Sequence, residues 1–324
     1  MEISLLDIPE VAMDRILENL DFITIQILRK VCHDLRNYID DKVPESNILR
    51  LSIHFAMRCI FVTYQDFSGQ FEMEYEEFDG KSTRLKQSRN QKILENLNFE
   101  EAFLTDLQLI LRHQKGILEN LMVRSLLTTS QSFREFPKIL KSRKKLLRVK
   151  NFEVYLKDEL SLQPILPFLD SSFLKTISIY NSTMNPDFLE FKEDVWDLDQ
   201  WKKAEKFYTS RRLTIASLEH FGHFQAGFIR IKATNSNQMV DLKKKFQGNP
   251  KFRSFRVDFQ EFDTILEFFR FLGPAHQFYG EKKWFFGVEN PEKCLSIFYD
   301  LPNRQFTFAQ IDRDRVPSNA IIQE

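Results

Sequence analysis

Apolar positions change their period several times along this chain. Between Leu5 and Asp40 they recur at helical spacing, with Met13, Ile16, Leu17 and Leu20 at i, i+3, i+4 and i+7. Ile8-Pro9 opens that run, and proline suits a first helical turn because its missing N–H would have no partner there. Asp21-Phe22 interrupts the pattern, Thr24 is placed to cap a second short helix, and Leu28, Val31, Cys32, Leu35 and Ile39 carry the period through a third. Three such helices make a very small unit, and chains below roughly 40 residues seldom bury enough apolar surface to stand alone. Its apolar surface is therefore expected to be shared with the next domain or with a partner chain.

Beyond a short linker at Asp40–Ser46 the period becomes two. Ile48, Leu51, Ile53 and Phe55 alternate in part, Ile60, Val62 and Tyr64 clearly, and Phe71, Met73 and Tyr75 alternate against Glu72, Glu74 and Glu76. Ser68-Gly69 marks the turn of this hairpin. The polar stretch 80–92 reads as a loop, and a helix is predicted over Phe99–His113 with Phe103, Leu107, Ile110 and Leu111 inward. Apolar triplets then alternate with helical stretches: Leu121-x-Val123, Phe152-x-Val154, Ile177-x-Ile179, Ile229-x-Ile231 and Phe255-x-Val257, with Phe207 as a degenerate extra strand. Helices are expected over 162–168, 198–205, 214–221 and 238–246. A repeat of about 26 residues with one strand and one helix is the signature of a leucine-rich-repeat-like solenoid, whose units share one core by stacking. Trp284-Phe285-Phe286, Leu295-x-Ile297-x-Tyr299 and Phe306-x-Phe308 read as three antiparallel strands capping that array, and the tail after Val316 as frayed. The fold class is α+β. Residues 1–44 form a helical module, 45–115 a connecting hairpin and helix, 116–283 the repeats, and 284–324 the cap and tail.

Composition narrows the function classes. Lys+Arg and Asp+Glu are both 46, so no global charge draws the chain to nucleic acid or membrane. Phe numbers 33 against 9 Gly, which argues against disorder and against a glycine-rich nucleotide enzyme. Cys32, Cys59 and Cys294 have neither disulfide nor zinc spacing, and no signal peptide or long apolar run is visible; an intracellular protein, cytoplasmic and/or nuclear, is expected. His220 and His223 stand at i, i+3 as metal ligands can, but no third ligand is near, so packing is the better reading. No phosphate-binding loop, dinucleotide fingerprint or nucleophile elbow occurs. A non-catalytic protein without cofactor or metal is expected. Lys138, Lys141, Arg143, Lys144, Lys145, Arg148 and Lys150 form a basic run that reads as a solvated face, since an RNA site would interleave exposed aromatics.

The order L-x-I-P-x6-I-L-x2-L-D followed by L-R-x-V-C-x2-L-R resembles an F-box. The resemblance implies three helices that dock on the Skp-type adaptor of a cullin-RING ubiquitin ligase. It implies adaptor contacts at Leu6, Ile8, Pro9, Ile16, Leu17, Leu20, Leu28, Val31, Cys32 and Leu35, with Met13 on the same helix face. Val11 and Leu35 depart from the acidic residue and the Trp common there, but both keep the apolar character. Val149-Lys150-x-Phe152-x-Val154, Ile165-Leu166-Pro167-x-Leu169, Leu174-x2-Ile177-x-Ile179, Gln200-Trp201-Lys202-Lys203-Ala204 and His223-Phe224 resemble, in order, successive elements of the FTH domain. That domain follows an F-box in a large family expanded in nematodes (F-box A type) and is taken there to contact other proteins; Glu205 stands where Lys is usual.

Together the resemblances imply a substrate-recruiting subunit of an SCF-type ligase, with a target protein on the repeats. Within a solenoid the target would meet exposed strand positions, for which Lys175, Ser178, Arg230, Lys232, Ser254 and Arg256 are the candidates. Their excess of cations suggests an acidic target patch. A non-degradative interaction scaffold is the alternative, and a nucleic-acid-binding module using the basic run a remote one. Trp201 is expected in the core.

Overall fold

The computed structural model describes residues 8–29, 31–87, 90–125, 131–156, 162–181, 188–190, 193–278 and 281–323. The chain forms two compact units, one made of Met1–Lys157 with Pro164–Leu174, the other of Asp158–Gln163 with Lys175–Glu324.

The first unit begins with helices α1 (Glu10–Glu18), α2 (Phe22–Leu28) and α3 (His33–Lys42). Strands β1 (Arg50–Phe55), β2 (Cys59–Gln65), β3 (Gln70–Phe78), β4 (Ser82–Gln87) and β5 (Asn90–Leu94) follow as an antiparallel meander. After helix α4 (Phe99–His113), strand β6 (Leu118–Ser125) pairs in parallel with β1, placing Val123 beside Ile53. Helix α5 (Gln131–Ser142) leads to β7 (Val149–Leu156), which pairs in parallel with β6. The alternation of β1 buries Leu51, Ile53 and Phe55, and α4 packs on the last of them. Phe103 meets Phe55 and Tyr75 edge-on at 5.6 and 5.7 Å, and the buried Tyr75 hydroxyl donates to Asp106 Oδ2 at 2.8 Å.

The stretch 80–92 corrects the sequence reading: it carries β4 and part of β5 rather than a loop. Its pairing with β3 is written in charge. Lys86 Nζ lies 3.0 Å from Glu74 and 2.8 Å from Glu76, and Arg84 lies 3.2 Å from Glu76. Cross-strand pairs of opposite charge stabilise a ladder without any apolar alternation, so periodicity misses such strands.

In the second unit, strands β8 (Thr176–Asn181), β10 (Lys206–Thr214), β11 (Ala226–Asn235) and β12 (Ser254–Asp263) run parallel, with the short β9 (Phe188–Glu190) beside the end of β10. The apolar triplets are the buried inward positions: Ile177 pairs with Phe207 and Ile229 with Val257. Two intervals carry the expected helices, α6 (Asp199–Lys203) and α7 (Ser236–Gln247). The helices expected over 162–168 and 214–221 are instead single 3-10 turns, Leu166–Phe168 and Glu219–Phe221. Pro167 lacks the N–H that a longer helix would need, and β10 extends to Thr214, leaving little room before Gly222.

Helix α8 (Ile265–Leu272) and strand β13 (His276–Phe278) precede β14 (Glu281–Gly287), β15 (Lys293–Asp300) and β16 (Gln305–Asp312). These last three are the expected antiparallel strands, and β16 pairs with β12 so that Phe306 lies beside Val257. The tail is not simply frayed. Ile322–Gln323 pairs in parallel with Phe285–Phe286 through main-chain bonds that two residues of sequence cannot announce.

Phenylalanine fills this core. Trp201 is buried among Phe207, Phe221 and Phe224 at 5.0–5.7 Å, with Trp196 at 4.7 Å, and its indole N–H donates to the His220 carbonyl at 3.1 Å. Gly227, inside β11, has no space for a side chain. A Cβ there would lie 2.3 Å from the Phe207 carbonyl oxygen and 2.5 Å from the Phe255 ring. Gly227→Ala must spread β10 from β11 or displace Phe255. Overpacking of this kind costs about 1–3 kcal/mol, so urea unfolding of the variant is expected to show a lower midpoint; an unchanged midpoint would contradict the packing described.

Candidate functional site

The N-terminal helices enclose a core of their own. Met13, Leu17, Ile25, Leu35 and Ile39 are buried together, with Leu20, Leu28 and Tyr38 against them. Asp21, not Thr24, caps α2: its carboxylate accepts the Thr24 N–H at 2.7 Å, which moves the helix start to Phe22. Cys32 caps α3, its sulfur accepting the Leu35 N–H at 3.4 Å.

Polar pairs fix the three axes. The Arg29 guanidinium grips Asp40 with two bonds, Nε to Oδ1 at 2.7 Å and Nη2 to Oδ2 at 3.0 Å, and holds that carboxyl below the usual range. Tyr38 Oη donates to Asp14 at 2.7 Å, and Lys42 bridges Asp14 and Glu10. Those partners push the Lys42 ammonium well above its ordinary pKa. Phe22 leaves the helical core to meet Tyr64 of β2 at 5.4 Å. His113 Nδ1 lies 2.9 Å from the Pro44 carbonyl, and Ser46 Oγ donates to Gln114 Oε1 at 2.6 Å. The helices thus share apolar surface with the body of their unit, and the segment leaving α3 is bolted to the end of α4.

The structure divides the residues anticipated for adaptor contact. Met13, Leu17 and Leu35 are turned into the helical core and offer no side-chain surface, Leu17 being 1% exposed. Pro9, Ile16, Val31 and Cys32 are exposed, with Val31 at 66% and Ile16 at 38%; Ile8, Leu20 and Leu28 are half-buried. Leu6 lies outside the described residues. Val11, noted above as an apolar residue where an acidic one is common, is exposed, and so is Ile27, an apolar residue that the sequence reading did not single out. For Ile27 the signal was its placement off the Phe22/Ile25 stripe of α2.

The residues anticipated for a target contact also divide. Arg230 and Arg256 come together on Asp258: Arg230 Nε lies 3.2 Å from Oδ2 and Arg256 Nε 3.3 Å from Oδ1. Both guanidiniums lie over the Phe228 ring, at 5.5 and 3.7 Å. Burial pushes the Asp258 carboxyl upward, and the two arginines oppose that only in part. Arg212 and Arg304, neither of them anticipated, line the same open depression of about 720 Å³, along with Phe188 and Gln305. Lys232 and Ser254 are exposed, and Lys175 pairs with Glu205 at 2.5 Å. Ser178 is not exposed as anticipated. It is 4% exposed, in register beside Tyr208, whose bulk leaves a seryl hydroxyl little free surface. Alternation gives the face of a strand but not what its neighbours cover.

His220 and His223 are used in packing. The His220 ring stacks on Trp196 at 4.8 Å, and His223 Nε2 lies 2.9 Å from the Trp201 carbonyl. Among the described residues no group of three His, Cys, Asp or Glu is placed to hold a metal, and no helix is long and apolar enough to cross a membrane.

Comparison with known families finds an F-box domain over residues 5–47 and an FTH domain over residues 130–274. No curated protein and no solved structure matches the chain.

Proposed function

We propose that this chain, which is a member of the F-box/FTH family, is the substrate-recruiting subunit of an SCF-type cullin-RING ubiquitin ligase. F-box domains typically bind Skp-type adaptors, and F-box proteins are in general non-catalytic parts of such ligases. The observation that carries the reading is the order of the two domains together with the apolar residues that the helices leave outside their closed core. Ile16, Ile27 and Val31, flanked by Pro9 and Cys32, supply adaptor-facing surface. Ile8, Leu20 and Leu28 complete that face, and Leu6 is assigned to adaptor contact by the F-box resemblance alone, while Met13, Leu17 and Leu35 act from beneath it by holding the helices in place.

On this reading residues 1–44 are the docking module, 45–115 connect it, and 116–283 form strand-and-helix repeats stacked as a solenoid, capped by 284–324. The arginine-lined depression around Asp258, rather than all six anticipated positions, is where a target meets the repeats, and an acidic segment suits its charge. The subunit makes and breaks no bond. It raises effective concentration by holding target and ubiquitin-charged enzyme in one complex.

Proteins captured by the full chain and lost on Arg230→Glu with Arg256→Glu should rise in abundance when the chain is removed from cells. Unchanged abundance of every such partner would remove the degradative role and leave the interaction scaffold.

A further inference from the structure

The basic run between α5 and β7 forms one wall of a cavity of about 760 Å³ inside the first unit. Its lining draws on three separate stretches: Asp41 and Val43 at the end of α3, Gln108–Lys115 at the end of α4, and Ile139–Arg148. Six cations line it, Arg112, Lys115, Arg143, Lys144, Lys145 and Arg148, against one carboxylate, Asp41. Asp40 next to it is already taken by Arg29.

Arg143 is the unusual member. Its Nη2 donates to the Gln114 carbonyl at 2.7 Å, while Nε and Nη1 are buried with no hydrogen-bond partner. Burial lowers its pKa, and no acid acts in the opposite direction. Arg143 is half-buried, but two nitrogens of a guanidinium removed from water without an anion are costly, and proteins keep buried charges paired. A solvated face, the simplest reading of a basic run, accounts for Lys138 and Lys141 but not for Arg143.

We infer that this cavity binds a small anion carrying two or three phosphoryl groups. The volume lies within the range of small-molecule sites and exceeds what a single phosphate would fill. Guanidinium and ammonium groups approaching from several sides suit an anion with charge spread over several oxygens. A consequence follows for the joint between the N-terminal helices and the rest of the unit. The Gln114 side chain accepts the Ser46 hydroxyl and the Ile48 N–H, and returns a bond to the Ile48 carbonyl. Lys115 reaches the Val43 carbonyl and Arg112 the Asp40 carbonyl. An anion held by Arg112, Lys115 and Arg143 therefore stiffens the segment that leaves α3.

Tripolyphosphate titrated into the full chain at constant ionic strength, followed by calorimetry and thermal unfolding, tests the inference, with sulfate as control. The expected result is saturable binding at one site per chain and a melting temperature that climbs with the logarithm of tripolyphosphate concentration. Lys144→Glu with Lys145→Glu, both exposed in the free protein, should weaken binding about tenfold or more through charge reversal while leaving the unliganded melting temperature nearly unchanged. Arg143→Gln should also lose binding; because Arg143 supports the fold through Gln114, the exposed pair decides. A nucleoside triphosphate that binds like tripolyphosphate supports recognition of the phosphoryl chain alone. Response no greater than to sulfate, or affinity unmoved by the Lys144/Lys145 variant, would overturn the site. Much tighter binding of a short single-stranded RNA would overturn the small-anion assignment in favour of nucleic acid.

Discussion

Ile16→Asp is expected to leave the protein folded and to abolish its binding to a Skp-type adaptor, whereas Leu17→Asp, one position along, is expected to unfold the N-terminal helices. The two side chains differ by one residue and by their surroundings. Ile16 is 38% exposed, so in the free protein an aspartate there keeps its hydration. Covered by a partner it would become an unpaired charge in an apolar interface, a penalty of about 3–5 kcal/mol, or on the order of a hundredfold or more in affinity. Val31→Asp, more exposed still, should behave the same way. Leu17 is 1% exposed inside the cluster of Met13, Ile25, Leu35 and Ile39. Removing a buried leucine alone costs about 2–5 kcal/mol, and burying a carboxylate in its place adds to that. Circular dichroism separates the cases: native helix content in Ile16→Asp, reduced content in Leu17→Asp. Loss of helix in both would mean that the outward face is part of the core.

The other large effect lies in the second unit. Trp201→Ala should destabilise it by about 3–5 kcal/mol, the range for truncating a large buried aromatic. For a unit of this size that is about 10–15 °C in melting temperature. The indole is enclosed by Trp196, Phe207, Phe221 and Phe224, and its N–H holds the His220 carbonyl. The truncation opens a cavity and leaves a carbonyl without its donor. Trp201→Phe retains much of the ring and should lose less than half as much. A melting temperature unmoved by Trp201→Ala would contradict the central place given to this cluster.

How far the sequence reaches depends on what kind of force shapes each element. Phe99–His113 is legible because its apolar positions repeat at helical spacing and one face meets Phe55 and Tyr75. The triplets around Phe152, Ile177, Ile229 and Phe255 are legible because each contributes buried alternate residues to a strand. β4 escaped because Lys86 and Arg84 pair with glutamates of β3 across the ladder. The division of the N-terminal helices escaped for another reason: Met13, Ile16 and Leu17 fall on one broad apolar face, and only packing decides which of them turn inward. The same holds for Asp258, an ordinary strand residue in the sequence, which the parallel register sets beside Arg230, Arg256 standing two residues before it on its own strand. For Arg143 the sequence shows a charge in a run of like charges. That two of its nitrogens are buried unpaired depends on how α4 and α5 close over it.

The measurement that bears most directly on this account is the equilibrium binding of the full chain to a purified Skp-type adaptor, with Val31→Asp alongside. Saturable binding by the wild-type chain and its loss in a variant with unchanged circular dichroism are expected. A folded wild-type chain that does not bind the adaptor would contradict it.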